Sequence, residues 1–271
     1  MSAKMIARAE TLHPGIRICL MGVLMIKKPP LLAALFCCVF STAYVPAQQA
    51  LSHATSPHKA VTMSAYAPAE RIPNLDDLKT ELKQYQACTC KCGCYAKDLD
   101  RQADRAIAFL RLRAAHRKPE EKLALVLDID ETTLSNWEQM VKAGFAYDKT
   151  ANDQWVESAK APAIPATLRI YREAQRLGVS IYFLTGRPEA QRAATELNLQ
   201  SQGFQDWAKL ILRSPEQKSE TAEAYKSAER GVIQAQGYKI VLNVGDQWSD
   251  LKGTPQAEFS VKYPDPFYFL K

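Results

Sequence analysis

Asp128, Asp130 and Glu131 follow directly on an apolar run in "LALVLDIDETTLSNW", Leu123 to Trp137. Burying an unpaired carboxylate costs several kcal/mol, and acids this close repel one another unless something positive sits among them. A carboxylate at such a point can accept a phosphoryl group and split one hard step into two. Phosphate and carboxylate are both anionic, so a divalent cation must bridge them. Mg²⁺ suits this, being held by a few carboxylates, phosphate oxygen and water. Asp130 would then protonate the leaving oxygen and later deprotonate water. Two further tips carry matching groups. Thr185-Gly186-Arg187 ends "VSIYFLTGR", and Asp246 ends "YKIVLNVGD" with Asp250 four residues on. Asp246 would complete the metal shell, with Asp250 contributing directly or through water. The Thr185 hydroxyl and the Gly186 N–H can donate to phosphate oxygens. A lysine would offset charge on the transferring group. Taken singly, each piece has a plainer reading. Asp-x-Asp is common on surfaces, Thr-Gly-Arg is an ordinary turn, and Gly-Asp often caps a helix. A calcium loop from Asp128 lacks Gly at its sixth position, where Thr133 stands, and Glu at its twelfth, where Gln139 stands. The order favours function, because three reactive tips follow three apolar runs.

Those tips converge only if the runs are neighbouring parallel strands. From Leu123 the chain alternates continuous apolar runs with amphipathic segments. "LALVLD", "VSIYFLTG", "AKLILR", "YKIVLNVGD" and "EFSVKYP" read as strands. "IPATLRIYREAQRLG", stopped by Gly178, "RPEAQRAATELNLQSQG", with Pro188 in its first turn, and "ETAEAYKSAERGVIQAQG" read as helices. This alternation predicts an α/β fold with a parallel sheet covered on both faces. Ligands in such sheets bind outside the carboxyl ends of the strands. Ahead of the sheet, "NLDDLKTELKQYQ" has Asn74 as N-cap, and Leu99, Ala103, Ile107 and Leu110 share one face of a second helix.

"LVLDIDETTLSN", "IYFLTGRPEAQR", "YKSAER" and "IVLNVGDQWSDL" resemble, in order, the four motifs of the haloacid dehalogenase (HAD) superfamily. More narrowly they are similar to its subfamily IIIB acid phosphatases, which include plant acid phosphatases, vegetative storage proteins and bacterial class C-like enzymes. "WVESAKAPAIPATLRIYREAQRLG" matches that branch too, and the likeness runs from Asn74 to the C-terminus. It implies a Rossmann-like sheet with a small cap insert and an N-terminal helical extension. It also implies Asp128 as nucleophile, Asp130 as acid/base, Thr185 as phosphate ligand, and Asp128, Asp130, Asp246 and Asp250 around Mg²⁺. The motif lysine is Lys226 by the fit of "YKSAER", with Lys218 as rival. Gly186 and Arg187 join Thr185 at the substrate, although a surface role suits Arg187 equally. Glu131 stands where many superfamily members have Gly. The resemblance implies a phosphomonoesterase working through an aspartyl-phosphate, on nucleotides among other small phosphomonoesters. A storage or metal-binding protein on the same fold and a phosphotransferase are the alternatives. Trp137, Phe145, Tyr147 and Trp155 lie in the insert and either stack on an aromatic leaving group or form the core of the cap.

The formal charge of +6 gives no basic stripe, because the first 47 residues hold a net +4 and leave +2 for the rest. A polynucleotide partner is therefore not expected. "MIKKPPLLAALFCCVFSTAYVPAQQA", from Met25, orders a charged region, an apolar run and Val45-Pro46-Ala47 as an export signal does. The expected plan is a signal region over 1–47, starting at Met25 and cleaved after Ala47, a linker over 48–72, and the HAD-like domain over 73–271, its helical extension spanning 73–118. The product would be periplasmic or secreted, with no membrane span once the signal is removed. Cys88, Cys90, Cys92 and Cys94 in "ACTCKCGCY" depart from the family pattern. Their even number in an exported chain suggests structural disulfides, although the spacing argues against simple local pairing; a soft metal and free thiols are the alternatives.

Overall fold

The computed structural model describes residues 73–88 and 94–269. The signal and linker expected over 1–72 lie outside the described residues, as do Cys90 and Cys92. In chain order the elements are α1 (Leu75–Ala87), α2 (Tyr95–Ala115), β1 (Lys122–Leu127), α3 (Trp137–Lys142), α4 (Lys149–Glu157), α5 (Pro165–Arg176), β2 (Ser180–Pro188), α6 (Arg192–Ser201), β3 (Lys209–Arg213), α7 (Ala222–Ala235), β4 (Tyr238–Gly245), α8 (Trp248–Leu251) and β5 (Phe259–Lys262). Asn74 starts α1 as expected, its side chain accepting from the backbone N–H groups of Asp76 and Asp77. Cys88 ends α1, and buried Cys94 precedes α2.

The five strands form one parallel sheet in the order β3-β2-β1-β4-β5. The continuous apolar character of β1 has a direct cause. Leu123, Leu125 and Leu127 pack with α2 and α5, while Ala124 and Val126 pack on the opposite face with Tyr225 and Ile233 of α7. Both faces are covered, so alternation disappears. Strand order reverses at β1, which lies between β2 and β4. A doubly wound sheet opens a crevice at such a point, beyond the strand ends. Register brings the tips level there, since Leu127 pairs with Phe183 on one side and Val244 on the other.

One boundary differs from the expectation. Pro188 does not open a helix; β2 runs through it to pair with Arg213, a short 3₁₀ turn follows, and α6 begins only at Arg192. A proline disfavours the helical region for the residue before it, so Arg187 stays extended and its side chain turns into the sheet tip.

Candidate active site

Asp128 sits one residue past β1, its N–H bonded to the Val244 carbonyl at 3.1 Å. The turn that follows is tied by three N–H groups, of Thr132, Thr133 and Leu134, to the Ile129 carbonyl. Glu131 takes a left-handed conformation in this turn, φ +56°. That strain is unusual for a residue with a side chain, and it is held by two hydrogen bonds from Asn136 to the Glu131 carboxylate, of 2.6 and 2.8 Å.

Asp128, Asp246 and Asp250 are all buried, and each offers an oxygen within 4.8 Å of the others. Asp250 reaches the group because α8 opens with a capping box. The Gln247 N–H donates to Asp250 Oδ2 at 2.8 Å, turning the carboxylate back toward the strand tip. Gly245 makes this approach possible, since a Cβ there would lie 2.4 Å from Asp250 Cβ. Lys226, buried on α7, donates to Asp128 Oδ1 and Asp250 Oδ1, both at 2.5 Å. Lys218 is exposed on the turn before α7. One lysine against three carboxylates leaves the group net negative. Burial, only partly offset by Lys226, raises the Asp128 carboxyl well above its ordinary value, with the neighbouring acids adding to the rise. Burial and Asp250 do the same to Asp246. Hard oxygen donors with uncompensated buried charge fit a divalent cation such as Mg²⁺.

The Asp130 carboxylate is placed differently. It is not in that triad, and its side chain is 30 % exposed, far more than Asp128 or Lys226. Arg187, buried at the end of β2, grips it through Nη2 at 2.7 Å and Nε at 3.1 Å, and also donates to Thr195. Asn136 adds a bond of 2.8 Å. Burial alone would raise this carboxyl, but the Arg187 charge and the two donors hold it below its ordinary value. Thr185 is fully buried at the β2 tip, its hydroxyl accepting from the Arg187 N–H at 3.1 Å, while Gly186 is exposed. The guanidinium of Arg187 therefore faces an acid of the chain itself.

Sequence reading missed several residues that hold this arrangement. Thr132 donates to Asp246 Oδ1 at 3.0 Å. The Gln247 side-chain amide donates to Asp246 at 2.8 Å and to Asp265 at 2.6 Å, tying the C-terminal segment to the site. Phe267 anchors that segment against Tyr95 and Trp137. The Pro residues on either side of Asp265 signal a loop and nothing more. In the insert, Trp137 packs between Phe145 and Phe267, Trp155 is half-buried, and Tyr147 is 77 % exposed. The core-of-the-cap reading thus fits three of those four aromatic residues.

Residues 42–271 match the family described as HAD superfamily, subfamily IIIB (acid phosphatase). The chain is 37 % identical to acid phosphatase 1 of Solanum lycopersicum over 179 residues, 65 % of this chain and 69 % of that protein. It is 40 % identical to a stem 31 kDa glycoprotein of Glycine max over 162 residues, 58 % of this chain and 64 % of that one. The matches thus span about two thirds of the length of these relatives. The fold is similar to the class C acid phosphatase of Bacillus anthracis, with a TM-score of 0.59 at 24 % identity, over 72 % of this chain and 86 % of that one. With a family match over most of its length, on a parallel sheet whose tips gather the acids, the chain belongs to the subfamily IIIB acid phosphatases of the HAD superfamily, and so to the phosphomonoester hydrolases.

Proposed function

We propose that the chain is an exported, Mg²⁺-dependent acid phosphatase that hydrolyses small phosphomonoesters through an aspartyl-phosphate on Asp128. The observation that carries this reading is the Asp128–Lys226–Asp250–Asp246 cluster at the sheet's switch point, with a second, more exposed acid beside it. Asp128, Asp246 and Asp250 would hold Mg²⁺, which supplies positive charge against the phosphoryl oxygens. The Asp128 carboxylate attacks phosphorus, and the ester P–O bond breaks. Asp130 gives its proton to the leaving oxygen. It then takes one from water, which attacks the phosphorus and releases phosphate while restoring Asp128. Lys226 neutralises charge on Asp128 and the transferring group, and Thr185 with the Gly186 N–H binds phosphate oxygens. Arg187 holds the Asp130 carboxyl below its ordinary value, which favours the base form that takes the proton from water. Export rests on the signal-like segment from Met25. Among the described residues no helix is long and apolar enough to cross a membrane.

The test is phosphate release from p-nitrophenyl phosphate, nucleotides and sugar phosphates, with Mg²⁺ and with EDTA. Metal-dependent release is expected; folded protein inert toward every ester would refute the reading. Added alcohol distinguishes hydrolysis from phosphotransfer by its product.

Metal binding should depend on pH with a definite sign. In the metal-free protein Asp128 and Asp246 keep protons above their ordinary range. Those protons stabilise the metal-free fold in acid and are lost as the pH rises, leaving repelling carboxylates. Mg²⁺ must displace them, so its affinity falls with falling pH. The rise in melting temperature on adding Mg²⁺ should be larger at about pH 7.5 than at pH 5. An equal rise at both would contradict the ligand assignment. Gly245→Ala should drive Asp250 out of place. A loss of roughly 10- to 100-fold in Mg²⁺ affinity is expected by calorimetry, the usual cost of disturbing the support of a metal site. Unchanged affinity would remove Asp250 from the shell.

A further inference from the structure

Asn136 stands at the N-cap of α3, a position its residue type normally serves by bonding to its own helix. Its side chain makes no such cap. The amide is turned back toward the strand tip, and both its ends are engaged. Nδ2 donates to Asp130 Oδ1 and to Glu131 Oε2, each at 2.8 Å. Oδ1 accepts from Trp155 Nε1, also at 2.8 Å. Trp155 lies on α4, in the insert between β1 and β2.

The direction of these bonds is fixed by chemistry. An indole N–H can only donate, so the amide oxygen must face Trp155 and Nδ2 must face the two acids. The amide therefore satisfies all three neighbours in one orientation; a flip would set N–H against N–H and oxygen against carboxylate. Its backbone N–H also bonds to Glu131 Oε1, at 2.6 Å. Asp130 Oδ1 thus receives Asn136 together with Nη2 and Nε of Arg187. Among the described residues, Asp130 Oδ2 has only the longer contact to Arg187 Nε, at 3.2 Å. One oxygen is anchored, and the other is left to carry the proton.

We infer that Trp155 and Asn136 are positioning residues through which the cap insert aims the less engaged oxygen of Asp130, Oδ2, at the leaving group. The inference rests on the proposed acid/base role of Asp130 and adds the insert to the machinery for leaving-group departure. A packing role for Trp155 would affect all substrates alike. Aiming a general acid matters most where the leaving oxygen most needs a proton.

The experiment compares kcat/KM, which reports steps up to leaving-group departure, for an alkyl ester, 2-glycerophosphate, and for p-nitrophenyl phosphate, whose leaving group departs readily as an anion. Trp155→Phe keeps an aromatic ring and removes the donor. It should lower kcat/KM for 2-glycerophosphate about fivefold, the worth of one hydrogen bond. For p-nitrophenyl phosphate the change should stay within about twofold, since proton transfer contributes little there. Asn136→Ala should show the same selectivity at roughly ten- to a hundredfold, up to the bottom of the 10²–10⁴-fold range that a general acid contributes, and keeps the test open if Trp155→Phe does not fold. Equal losses on both esters, or none on either, would overturn the inference. Asp130→Asn is measured in parallel. If Asp130→Asn loses far more on the alkyl ester while the other two variants do not, the inference alone fails. If Asp130→Asn itself shows no such selectivity, the acid/base reading beneath it fails.

Discussion

Asp128→Asn should abolish turnover, by roughly 10⁴-fold or more, while the protein stays folded. The amide is nearly the same size as the carboxylate, and the backbone bond to Val244 does not involve the side chain. What disappears is the nucleophile. The change also removes one negative charge from a buried, net negative cluster, so the metal-free protein should be no less stable than the parent. Lost activity with retained or raised melting temperature is the expected pair. Turnover within tenfold of the parent would exclude Asp128 as the group that attacks phosphorus.

Lys226→Met should produce the opposite pair. The lysine is buried between Asp128 and Asp250 and donates to both. Methionine fills much of the space but leaves two carboxylates buried without their cation. Removing one partner of a buried ion pair costs about 3–5 kcal/mol, which denaturant unfolding of the metal-free protein should register. Loss of this charge beside the transferring group should lower kcat by roughly 10²–10³-fold. Mg²⁺ should recover much of the stability, by occupying the same negative site, and little of the turnover. Recovery of both would mean that the lysine only holds the fold.

These variants also mark what the sequence makes legible. Strands covered on both faces read as unbroken apolar runs, so β1, β2 and β4 stand out, and with them Asp128, Thr185 and Asp246 at their tips. Asp246 and Asp250 lie four residues apart, but Asp246 precedes α8, and it is the capping box at Gln247 that turns Asp250 back toward it. Lys226 is different. A lysine on an amphipathic helix reads as solvated, and only the likeness of "YKSAER" to a known motif singles it out. Pro188 misleads because proline suits a helix start and a strand end alike. Asn136, Trp155 and Gln247 are beyond the reach of periodicity. Their work depends on contacts between segments far apart in the chain, and single polar residues beside turns carry no pattern.

The most direct test of the central claim is a rapid acid quench of the Mg²⁺-loaded protein turning over a phosphomonoester labelled in its phosphate. The account predicts protein-bound label that is lost on hydroxylamine treatment, as an acyl phosphate is. The label should map to the peptide containing Asp128 and be absent with EDTA and in Asp128→Asn. Label on another residue, or phosphate released in a single turnover that never labels the protein, would contradict it.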